Sequence, residues 1–82
     1  MHLTPAQRSL LQAMSDGATL KSHRDLDGQK FHLLHPLHGE PQRVPPALVE
    51  SLRDLGMIQS NLKFPAATYV LTEGALAALA RS

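Results

Sequence analysis

At 82 residues, with no cysteine and a formal charge of +1, the chain has room for one domain. Disulfides, thiolate metal sites and cysteine nucleophiles are closed to it. The hydrophobic fraction of 43% is that of a globular chain, and no apolar run approaches the ~20 residues that a membrane-spanning helix needs.

The first element starts at Thr4-Pro5-Ala6-Gln7. This reads as an N-cap, a proline at the first helical position, and a glutamine placed to close a capping box. Leu10, Leu11 and Met14 recur at helical spacing, and Gly17 supplies the left-handed residue that ends a helix. A helix from Pro5 to Ser15 is predicted. Thr19–Arg24 and Lys30–Leu34 then flank Asp25-Leu26-Asp27-Gly28-Gln29, and the Asp-Gly step marks a hairpin turn. Within that hairpin Lys21 and His23 share a face, as do Phe31 and Leu33, with His32 and Leu34 on the other side. Pro36 ends the second strand.

His35 to Pro45 carries three prolines and Gly39 and is expected to be a loop. Pro45-Pro46 introduces a second helix ending near Leu55, in which Leu48, Val49, Leu52 and Leu55 form one buried stripe before Gly56 stops it. Met57–Lys63 and Thr68–Leu71 read as two further strands around Phe64-Pro65-Ala66-Ala67. Thr72 caps a short last helix holding Leu76 and Leu79, with Arg81 placed against its C-terminal dipole. The expected architecture is a single α+β domain over residues 1–82, in the order α-β-β-α-β-β-α.

Certain spacings carry a resemblance. Leu3-Thr4…Gln7…Leu10-Leu11, Gly17…Leu20, Val49…Leu52…Leu55-Gly56-Met57-Ile58 and Tyr69-Val70-Leu71-Thr72…Gly74 together resemble bacterial winged-helix domains of MarR type. A helix ends on glycine, its next apolar residues begin a strand, and a hairpin returns beside it. The hairpin after the first helix departs from that pattern, in which another helix usually stands. In this respect the chain is similar to the small YjhX-like group. The resemblance implies a winged-helix fold and a DNA-binding, transcription-regulatory role, with the Pro46–Leu55 helix in the recognition position facing a major groove.

On that helix Arg53 is the candidate for a guanine edge and Ser51 for a phosphate. Glu50 and Asp54 share its outward face and oppose a phosphate-lined groove. The other basic residues stand elsewhere: Lys21, Arg24 and Lys30 on the first hairpin, Arg43 on the proline-rich loop, and Lys63 at the wing. The expected mechanism is electrostatic docking of double-stranded DNA through these cations.

Other chemistries find little support. His32, His35 and His38 recur every third residue, yet no regular element aims them at one point and only Glu40 stands near as a further ligand. No metal or other cofactor is expected. No nucleophile elbow, phosphate-cradling glycine loop or paired carboxylate site is present, so neither catalysis nor a small-molecule substrate is expected. Met1-His2-Leu3-Thr4-Pro5 leads into a polar-patterned helix instead of an apolar signal core, which with the absence of cysteine favours the cytoplasm. The competing reading is a protein-interaction module without DNA binding. It would form a homodimer or hold another protein through Leu3, Leu34, Leu37, Leu76 or Leu79, and the acidic face of the second helix favours it.

Overall fold

The computed structural model describes residues 3–61 and 67–81. In chain order the elements are α1 (Pro5–Ser15), β1 (Thr19–Arg24), β2 (Lys30–His35), β3 (Gln42–Val44), α2 (Pro46–Asp54), β4 (Ile58–Ser60), β5 (Ala67–Leu71) and α3 (Glu73–Arg81). The mixed α+β class is as expected; the order differs by one strand. The segment read as a loop contains β3, paired antiparallel with β2 through His32↔Val44 and Leu34↔Gln42. Its prolines misdirect the reading because Pro41 and Pro45 fall just outside the ladder. There a missing N–H costs nothing and edge position is tolerated. The strand expected over Met57–Lys63 is Ile58–Ser60 as far as it is described; Leu62 and Lys63 lie outside the described residues.

Local signals elsewhere were followed closely. Thr4 and Gln7 form the capping box, with Gln7 N donating to Thr4 Oγ1 at 3.1 Å and Thr4 N to Gln7 Oε1 at 2.9 Å. Asp25 organises the first hairpin turn: its carboxylate accepts from the N–H of Asp27 at 2.9 Å and of Gln29 at 2.8 Å. Gly28 closes that turn at φ +81°, a backbone state that glycine adopts without a Cβ penalty.

The five strands form one antiparallel sheet in the order β3-β2-β1-β5-β4. Alternation divides their residues between two faces. Leu20, Ser22, His32, Val44, Ile58 and Tyr69 are all buried on one face. There they join Leu10, Leu11 and Met14 of α1, Val49 and Leu52 of α2, and Ala75 of α3, with Met57 between α2 and β4. All three helices therefore cover the same side. Leu55 does not belong to the core: it is the C-cap of α2 and 38% exposed. The chain reverses at Gly56, and Met57 takes the buried place at the helix end.

Thr72 ties the last junction together. Its hydroxyl donates to the Gly56 carbonyl at 2.6 Å and accepts from Ala75 N at 3.3 Å, so one side chain caps α3 and clamps the end of α2. Leu3, Leu34 and Leu79 pack against the core, whereas Leu37 and Leu76 are 70% and 51% exposed.

Candidate nucleic-acid interface

The opposite sheet face is built from residues of the other parity: Thr19, Lys21 and His23 of β1, Phe31, Leu33 and His35 of β2, Arg43 of β3, Gln59 of β4, and Thr68 and Val70 of β5. None is fully buried, and no described helix lies against them. The one-residue alternation that sends Leu20 and His32 inward sends Lys21 and Phe31 outward, and register then sets the neighbours. His23 stands opposite Phe31, Lys21 opposite Leu33, and Leu33 opposite Arg43.

These neighbours touch. The His23 and Phe31 rings stack at 5.5 Å with an interplanar angle of 24°. His35 meets His23 edge-on at 5.9 Å, and the Arg43 guanidinium lies 4.7 Å above the centre of the Phe31 ring. A cation within about 6 Å of an aromatic face is attracted by the ring quadrupole. Nε2 of His23 and of His35 are shielded from solvent and have no hydrogen-bond partner among the described residues. The Lys21 side chain has no polar partner among the described residues. Beside Phe31 and Arg43 an open groove of about 390 Å³ runs past Lys30 to Pro45 and Pro46.

The charges are segregated. Lys21, Arg24, Lys30 and Arg43 stand on strands, while all seven acidic residues fall in helices, turns or loops. A nearly neutral chain thus carries, among the described residues, strands with four cations and no carboxylate.

The expected contact residues separate into distinct groups. Lys21 and Arg43, remote in sequence, share the open face. Arg24 and Lys30 pair at the hairpin tip on the helix side. Arg24 donates from Nη1 to the Gly28 carbonyl at 2.9 Å, bracing the turn. Arg53 is exposed in the last turn of α2. Ser51 is half-buried; its hydroxyl donates to Leu48 O at 2.8 Å and accepts from Gln7 Nε2 at 3.1 Å, which ties α2 to α1. Lys63 lies outside the described residues.

His32 and His35 lie on opposite faces of the sheet. His32 is buried on the helix side, edge-on to Tyr69 at 5.9 Å, whereas His35 points from the open face. Burial first, and then the charge of Lys30, pushes the His32 pKa below its ordinary value. Glu50 opposes this and Arg53 adds to it. Among the described residues no three His, Asp or Glu side chains are placed to hold a metal.

The grouping of Phe31, His23 and His35 with Arg43 was not foreseen. The available signal was the shared parity of Lys21 with His23 and of Phe31 with Leu33; without β3 and the register, nothing brought Arg43 to them. No protein-family model, curated protein or solved structure matches the chain.

Proposed function

We propose that the chain is a small DNA-binding, transcription-regulatory protein of the cytoplasm that acts without a cofactor, and that it docks DNA on the open sheet face. The observation that carries this reading is the pairing of Lys21 and Arg43 on the open face of strands that hold no carboxylate, with Arg24 and Lys30 at the adjoining hairpin tip. Phosphates supply most of the non-specific affinity for a protein, and Lys and Arg side chains supply the complement. The winged-helix reading finds support in β5 returning beside β1, with β4 outermost. On that reading β2 and β3 occupy the place of the usual second helix. The outward face of α2 is a poorer contact surface because Glu50 and Asp54 flank Arg53.

The test is fluorescence anisotropy of labelled mixed-sequence DNA, at low and at physiological salt, with wild type and with Lys21→Gln/Arg43→Gln. Wild-type binding that weakens with salt and is reduced in the double variant is expected. No binding even at low salt would refute the proposal.

A second reading, self-association without DNA, is favoured by the exposed Leu76 and by an apolar groove of about 330 Å³ where Leu10, Leu34, Val44 and Leu48 meet between α1, β3 and α2. It predicts dimers that persist in high salt and are lost in Leu76→Ser.

A further inference from the structure

Antiparallel sheets with one packed face usually present solvated polar residues on the other. Here the outer face carries Phe31, Leu33 and Val70, with His23 and His35 in ring contact. A second copy laid face to face would oppose Lys21 and Arg43 with the same cations and no carboxylate to neutralise them. The charge therefore selects a polyanion, and the rings select one with exposed π faces.

Duplex DNA does not offer such faces. Five strands at about 4.8 Å spacing make a sheet roughly 19 Å across its outer strands, whereas a major groove is about 12 Å wide and admits a helix or a two-stranded ribbon. A face of that width would meet a duplex at its backbone, and the rings would find nothing to stack on. An unpaired strand offers both parts: bases that stack on aromatic side chains and phosphates that pair with cations.

We propose that the open sheet face binds an unpaired DNA strand, with a base stacked on Phe31 and the adjoining phosphates held by Arg43 and Lys21. This rests on the DNA-binding reading above and specifies its ligand. Phe31 stacks with His23 of β1 and meets Arg43 of β3, the strands on either side of β2. Arg43 is exposed, so its contact with the ring is weak and displaceable. An incoming base takes the place of the guanidinium on the ring. Arg43, released, turns to the phosphate of that nucleotide, where a charge-assisted hydrogen bond replaces the cation–π contact. The groove past Lys30 to Pro45 and Pro46 continues from this point and receives the next nucleotide.

The test compares a short labelled oligo(dT) with a duplex of the same length, using wild type and Phe31→Leu. That variant keeps an apolar side chain on a face remote from the core. Wild type is expected to prefer the single strand, and Phe31→Leu to bind oligo(dT) about tenfold more weakly, as loss of one base–aromatic stack implies. A 2-aminopurine base within the oligonucleotide is expected to be quenched on binding wild type. The strand preference and the quench are read on the unaltered protein and stand whether or not the variant folds. Equal or tighter duplex binding, or an unquenched 2-aminopurine, overturns the stacking proposal while leaving the DNA-binding reading intact. No binding of either DNA at low salt overturns both.

Discussion

The salt dependence of DNA binding follows from counting cations on the sheet. Each phosphate neutralised on a single strand contributes about −0.7 to the slope of log affinity against log salt. Lys21 and Arg43 on the open face alone give a slope of about −1.4, a loss of about sevenfold between roughly 50 and 200 mM salt. If the strand also reaches Arg24 and Lys30 at the hairpin tip, the slope becomes about −2.8 and the loss about fiftyfold. Lys21→Gln, which removes one contact, moves either slope toward zero by about 0.7. Anisotropy titrations of oligo(dT) at four or more salt concentrations measure this directly. A slope indistinguishable from zero, or one unchanged by Lys21→Gln, refutes docking on this face. A slope much steeper than that of four contacts places the phosphates on cations elsewhere.

Three further predictions concern the fold. His32 is buried and its folded-state pKa is lowered, so below the unfolded value of about 6.5 the unfolded chain takes a proton that the folded chain resists. The Tm should be flat above about pH 7 and fall as pH drops through 6.5 toward the folded pKa, and His32→Phe should flatten that fall. Gly17 has φ +113°, and a Cβ there would sit 2.7 Å from Leu37 Cδ1. Gly17→Ala should cost about 1–3 kcal/mol in urea unfolding, and Leu37→Ala should relieve only the contact part because that leucine end is exposed and free to swing. Thr72→Ala loses the bond to the Gly56 carbonyl and the cap on Ala75 N; about 1–2 kcal/mol is expected from the shift in urea midpoint.

Much of this chain was legible because its signals are local. A capping box needs only Thr4 and Gln7, three residues apart, and the first hairpin needs only Asp25 and Gly28 between strands of matching alternation. That His32 and Leu34 share a face could be read the same way, but not that this face is the inner one. Leu55 was misplaced for the opposite reason: helical periodicity assigns it to the apolar stripe, but periodicity does not say where the helix ends over the sheet. Ser51 looked like a free hydroxyl until α1 brought Gln7 against it.

Three helices, the first hairpin and the α+β class were thus within reach of the sequence alone, since capping, turn chemistry and hydrophobic period act over a few residues. The third strand, the register and the order β3-β2-β1-β5-β4 were decided only by tertiary structure. Strand pairing depends on partners distant in the chain, and proline-flanked Gln42–Val44 gains its hydrogen bonds only when β2 is already in place. The candidate interface inherits that dependence. Lys21, His23, Phe31 and Arg43 become one surface only after three strands align, because no local rule connects the parity of one strand to the position of another.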